Sequence, residues 1–451
     1  MNFVNKKLSE NFKNVGKLSF GTILGQLISV ISLPIFTRMY GPTVIGNMAL
    51  FTSAAIIVNS FSDLGMTNAI MVEEEEEEAS KIYKIVSTIS LGISLLIGII
   101  IYCFFDVFFK AVDINPLFIA IIIAALIFSS QQIKICYTWL NRRKQYKLLM
   151  LNPIINNGAV LVFGLIIGLF GFVENGYYIC ILLGQAFTLF HMKRFLPKGF
   201  LSFKRQNYVQ TCRKHYKFVS YQMPSNILLQ VKGQLPTLLI NIFFGSKMLG
   251  YYYISMRVLS MPITFLASSL GKVFFQTASE IKRKGGEIGE YTLSLLSKAM
   301  KISFVPIILM LSIGDLVILL LFGSDYIIGA NILRIMTFYG FFLFLSMSVD
   351  GIAIVIDRQK YLLVSGLIQL IGIASGIWVG ARIFQSIYIS VLLFSLTFCI
   401  IQIVYFCFIF KTTKINIFRY LKPLFLEIIF IFLAFIVIRV LLLLSGIVET
   451  I

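Results

Sequence analysis

The sequence predicts an all-α integral membrane protein built as two six-helix lobes with about one extra C-terminal transmembrane helix. Three observations carry that expectation. Of 451 residues, 58% are apolar and only 13% charged, with a mean hydropathy of +0.90, whereas a soluble domain carries about 25% charged residues. Apolar stretches of spanning length, roughly 20 residues for ~30 Å of hydrocarbon, recur along the whole chain. Lysine and arginine gather in alternate gaps between those stretches, the asymmetry that orients membrane helices.

In chain order the apolar segments centre near Ser29, Ile57, Leu95, Ala125, Val162, Leu183, Leu229, Leu266, Ile308, Phe344, Gly372, Ser395 and Phe435. The first follows Lys6, Lys7, Lys13 and Lys17 and continues to Phe36, beyond the core of a cleavable signal, so no such signal is expected. Placing the N-terminus in the cytoplasm puts Lys81 and Lys84, the Arg142 to Lys147 cluster, the Lys193 to Lys217 loop, the Lys282 to Lys301 group, Arg358 with Lys360, and the Lys411 to Lys422 group on that same side. The opposite gaps hold only Arg38, Lys110, Lys247 and Arg382. The net charge of +19 is therefore topological, and it calls for no nucleic acid.

The opposite-side gaps are all short, running from Tyr40 to Ile45, Asp106 to Asn115, Gly171 to Gly176, Gly245 to Leu249, Gly323 to Gly329 and Arg382 to Gln385. None houses an enzymatic domain. The longest gap lies on the cytoplasmic side and divides the chain into lobes 1–200 and 201–411, with 412–451 as an additional span. Glycine pairs Gly41/Gly46 and Gly245/Gly250 recur after the first and seventh spans, at the outer turn of a helical hairpin, which favours a transporter assembled from internal repeats.

Six basic residues remain inside spans: Lys134, Lys232, Arg257, Lys272, Arg334 and Arg439. Lys134 and Lys272 lie close enough to the cytoplasmic face to snorkel there. Lys232 and Arg257 sit roughly 10 Å or more from an interface at 1.5 Å per residue, so they need polar surroundings. Around Lys232, Pro224, Gly233 and Pro236 are expected to interrupt the helix, as happens where backbone lines a cavity. Gln222, Asn226, Gln230 and Gln234, four residues apart, make one polar face. Asp63, read as near the middle of the second span, is the acid for the same cavity; pairing with a base and uptake of a proton both remain open. Asp350 lies about two turns from the cytoplasmic end of its span. Asp315 and Arg334 are expected to pair structurally, Glu427 is interfacial, and Arg439 has no assigned place.

The six glutamates from Glu73 to Glu78 sit where a helix begins and suit its N-terminus. The six cysteines form no CxxC pair and read as small core residues; His191 and His215 flank the long loop, far apart. No metal site is expected.

The stretch FFGSKMLGYYYISMRVLSMPITFLASSLGKVFFQTASE, Phe243 to Glu280, resembles the hairpin of helices seven and eight in polysaccharide biosynthesis membrane proteins. These are the Wzx-type lipid-linked oligosaccharide flippases of the multidrug/oligosaccharidyl-lipid/polysaccharide exporter superfamily. LPIFTRMYGPTVIGNMAL is similar to the family's P-x3-R-x-Y-x-P-x3-G outer turn, TWLNRRKQYKLL to its fourth-to-fifth loop and GYYICILLGQAF to its sixth helix. Where relatives often carry R-Y-E in helix two, this chain has Leu64-Gly65-Met66. The resemblance implies pseudo-symmetric lobes around a central cavity that opens alternately to either side. It implies an undecaprenyl-pyrophosphate-linked oligosaccharide as cargo, destined for O-antigen, capsule or a similar polymer, and a polysaccharide polymerase as a partner. Arg38 and Arg257 match the family pattern by position; Lys232 and Asp63 rest on depth alone.

The expected function is thus a non-enzymatic flippase in the bacterial cytoplasmic membrane. Arg257, Lys232 and Arg38 would receive the pyrophosphate, and Asn226, Gln230 and Gln234 would line the polar wall. No cofactor is expected; the drive is proton or sodium coupling or the membrane potential. The alternative is a cation-coupled multidrug antiporter, which calls for acidic groups where the deep charges here are mostly basic. A polymerase or ligase would need a long external loop, and a channel would need a pore repeat.

Overall fold

The computed structural model describes residues 2–105, 115–197, 199 and 205–446. Lys110, Lys198 and Lys204, and most of the gap from Asp106, lie outside them. The described chain is helical nearly throughout, with no strand. Backbone groups in hydrocarbon must bond within their own segment, and a helix achieves that. Its long helices are α1 (Asn2–Asn59), α2 (Glu76–Cys103), α3 (Pro116–Arg142), α4 (Tyr146–Leu169), α5 (Val173–Met192), α6 (Met223–Arg283), α7 (Ile288–Phe322), α8 (Ile327–Ser348), α9 (Gln359–Arg382), α10 (Ile387–Thr412) and α11 (Phe418–Leu444).

Ten membrane-crossing stretches, long and apolar enough, are present among the described residues, and two of them are too long for one crossing. Phe20–Asn59 has 40 residues and Phe218–Thr264 has 47, about 60 and 70 Å at 1.5 Å per residue, twice the hydrocarbon thickness. Each contains one non-helical residue. Gly41 has φ 71° and ψ 170°, and Gly245 has φ 80° and ψ 173°. A Cβ at either position would meet nothing within 4 Å, so the left-handed φ, not crowding, requires glycine there. Pro42 then opens the second arm of α1 with its φ already set. With these two helices taken as paired arms and the 20-residue α5 added, the thirteen expected segments appear in order.

The chain divides into two compact units, Met1–Gln234 and Leu235–Ile451. The division between these units falls within α6, whose first turns pack with the first unit: Ser53 donates to the Gln234 side chain at 2.8 Å. In the first unit α2 packs on α3, α3 on α5, α4 on α5 and α1 on α4. In the second, α7 packs on α8, α8 on α10 and α9 on α10. The same pairing order recurs, making a two-lobed membrane fold. Close approach relies on small residues, as expected where lipid removes the hydrophobic drive between helices. A Cβ on Gly380 would lie 2.4 Å from the backbone of Ser390.

The extra C-terminal helix α11 belongs to the second unit, packing on α7. Phe432 stacks on Phe338 at 5.0 Å, and Arg419 pairs with Glu290. Arg439, unplaced by the sequence, is 1% exposed, donates to the Ser312 carbonyl at 3.2 Å and to Asp315 Oδ1 at 3.3 Å, and lies 3.1 Å from Asp315 Oδ2. Asp315 also pairs with Arg334, as the sequence anticipated.

Candidate functional site

The first unit holds a cavity of about 350 Å³ lined by Asn59, Asp63, Thr67, Lys134, Asn226 and Gln230, among others. Its floor is a broken second span. α1 ends at Asn59, and the chain turns through Leu64 (φ 50°) and Gly65 (φ 70°) before one short turn of helix at Ala69–Val72. Asp63 thus lies in this turn and not midway along a helix. A Cβ on Gly65 would stand 2.9 Å from the Phe218 carbonyl, so glycine serves both the left-handed φ and the close approach of the segment entering α6.

Asp63 is 1% exposed and fully engaged. Its Oδ1 accepts from the Gly65 amide at 2.9 Å; its Oδ2 accepts from Thr67 Oγ1 at 2.5 Å and from Lys134 Nζ at 2.8 Å. Of the two options the sequence left open, this arrangement is the ion pair. Lys134 does not merely snorkel: its ammonium is held by Asp63, while 45% of its side chain stays exposed. Burying a carboxylate is costly unless it is paired and hydrogen-bonded, and both conditions are met here. Nearby, Asn59 donates to Ser130 at 2.6 Å, and Ser62 donates to Asn59 at 3.3 Å.

The opposite wall is the start of α6. The expected interruption at Pro224, Gly233 and Pro236 is absent: α6 is helical there, and its one non-helical residue is Gly245. Pro224 falls in the first turn, where a missing N–H costs nothing, behind a π-helical turn at Phe218–Gln222. Pro236 lies inside the helix and deprives the Lys232 carbonyl of its usual donor. The helix persists through it. Asn226, Gln230 and Gln234 do share a face: the first two line the cavity, and Gln234 bonds Ser53.

Of the other expected residues, Lys232 is half-buried and forms no ion pair among the described residues. Arg38 is exposed in the first unit, and Arg257 is exposed in the second. None of the three lines this cavity. Lys134, Thr67 and Asn59 were missed as cavity residues; the signal for Lys134 was the buried acid that needed a partner.

Outside the spans, the glutamate run does more than cap α2. Glu76 to Glu78 occupy its first turn, and Glu76 pairs with Arg143. Glu73 receives Lys214 Nζ at 2.8 Å and lies 3.2 Å from His215 Nε2, which fastens the segment leading into α6. The hydrogen bond from Lys214 holds the Glu73 carboxyl below its ordinary 4.5. Arg142 donates to the carbonyls of Ile70 at 2.9 Å and Glu74 at 3.1 Å, completing the latch. Cys136, Cys180 and Cys399 are buried, as small core residues should be.

The sequence profile of a family described as polysaccharide biosynthesis protein matches residues 35–328. The teichuronic acid biosynthesis protein TuaB of Bacillus subtilis (strain 168) is 22% identical over 125 residues, 28% of this chain. The match spans 26%, about a quarter, of that relative's length. Among solved structures, lipid II flippase MurJ in an inward closed conformation superposes with a TM-score of 0.67 at 17% identity, covering 97% of this chain and 98% of that one. An inward-facing multidrug resistance MATE family transporter of the MOP superfamily gives 0.62 at 13% identity, covering 89% and 98%. At such identities the likeness is one of fold.

Proposed function

The chain belongs to the polysaccharide biosynthesis protein family, and from that premise we propose that it is a flippase for a lipid-linked oligosaccharide. The cargo is an undecaprenyl-pyrophosphate-linked repeat unit, carried from the cytoplasmic to the outer leaflet of a bacterial cytoplasmic membrane by alternating access. The protein is a transporter and not an enzyme; its N-terminus is cytoplasmic, and a polysaccharide polymerase takes the product. The observation that carries this reading is the polar cavity of the first unit, in which amides and a neutralised ion pair face one another within a membrane-spanning bundle.

Arg38, Lys232 and Arg257 are the proposed contacts for the pyrophosphate, since phosphate favours charge-assisted hydrogen bonds from such groups. Lobes divided at 200 and 411, with 412–451 appended, are the proposed moving parts. Moving two negative charges outward across an inside-negative membrane releases about 4.6 kcal/mol at 100 mV. That drive requires no co-ion. The fold likeness to a MATE transporter raises cation coupling and drug efflux as a second reading. Against it, the buried cavity acid Asp63 is already matched by Lys134 and offers no uncompensated carboxylate to a cationic drug.

A strain lacking the chain should accumulate lipid-linked sugar on its cytoplasmic leaflet and keep its drug susceptibility. Arg257→Ala should abolish surface polysaccharide at normal protein level; unchanged polysaccharide together with drug hypersensitivity would refute the reading.

A further inference from the structure

We infer that the cavity of the first unit is a subsite for an uncharged sugar ring of the cargo, not for its diphosphate; the inference rests on the flippase reading. Two features of the wall point there. The first is charge: Lys134 and Asp63, 2.8 Å apart, cancel, so the cavity offers a diphosphate no net attraction. A dianion placed there would also face the Asp63 carboxylate at short range, where like charges repel.

The second is the supply of unused hydrogen-bonding groups. Among the described residues, the side chains of Asn226 and Gln230 make no hydrogen bond, and Lys134 spends one of its three N–H donors, on Asp63. Each amide presents a donor and an acceptor, the combination that a hydroxyl group also carries. Four residues apart on α6, the amides are about 6 Å apart along the helix axis, a span that one sugar ring can bridge. A cavity of about 350 Å³ falls within the range of small-molecule sites. Asp63 acts as a positioning residue: its other two bonds, to Gly65 and Thr67, fix the carboxylate that aims the Lys134 ammonium.

The test uses the full chain reconstituted in vesicles and two lipids. One is the lipid-linked repeat unit extracted from a strain lacking the chain; the other is bare undecaprenyl pyrophosphate. Asn226→Ala and Gln230→Ala should each weaken binding of the sugar-bearing lipid about five- to tenfold, the worth of one hydrogen bond, and leave the bare lipid unaffected. Because neither amide has a partner among the described residues, both variants should melt with the parent chain. Equal weakening for the two lipids, or none for either, overturns the subsite. The flippase reading fails separately, if the parent chain binds neither lipid above vesicles without protein.

Discussion

Asp63 and Asp315 are both buried carboxylates inside the bundle, yet their surroundings differ. Among the described residues Asp63 has one basic partner, whose side chain is 45% exposed beside a cavity. Asp315 has two, Arg334 at 18% and Arg439 at 1% exposure, and together they tie α7 to α8 and α11. The first pair opens onto polar space. The second is closed on itself and holds helices together, so depth in the membrane alone does not separate a bracing charge from one that borders a cavity.

The sharpest way to break this contrast is to remove each acid. Asp315→Ala strands two guanidinium groups, and losing one partner of a buried pair costs about 3–5 kcal/mol. The variant should be scarce in membranes and should melt far lower in detergent. Asp63→Asn keeps one oxygen to accept from Gly65, turns the other position into an NH2 that the Thr67 hydroxyl can accept from, and leaves Lys134 able to reach water, so its cost should be about 1–2 kcal/mol. Equal losses for the two variants in thermal melts would erase the contrast.

Gly65→Ala sharpens it from the backbone side. A side chain at φ 70° with its Cβ 2.9 Å from the Phe218 carbonyl should cost about 1–3 kcal/mol and disturb the cavity. Transport should fall further than stability does, as judged by flux per folded molecule.

The smallest effect belongs to the Glu73 latch, outside the spans. Its carboxyl lies below 4.5 when folded, so its contribution is complete above the unfolded value and is lost as pH falls through the folded one. Limited proteolysis near Lys214 should quicken only at acid pH, and Glu73→Gln should be fast at neutral pH as well.

Much of the fold was legible because lipid makes it so: spanning length and glycines at the hairpin turns each follow from a local rule. Gly41 and Gly245 mark their hairpins by conformation alone. The site was legible only in part. Asn226 and Gln230 declare themselves by spacing on one helix, but the partnership of Asp63 with Lys134 joins residues 71 apart in sequence. Depth counted along a continuous helix also misplaced Asp63, since the helix ends at Asn59. Pro236 misled in the opposite sense: a proline removes one bond, and in this helix its neighbours suffice to keep the rest.

The account turns on lipid translocation. The direct measurement follows an undecaprenyl-pyrophosphate-linked oligosaccharide in vesicles containing the purified chain, using a sugar-modifying enzyme added outside. The account predicts that sugar initially confined to the inner leaflet becomes accessible outside, faster with an inside-negative potential. If the sugar stays protected while organic cations are exchanged across the same vesicles, the flippase assignment is contradicted.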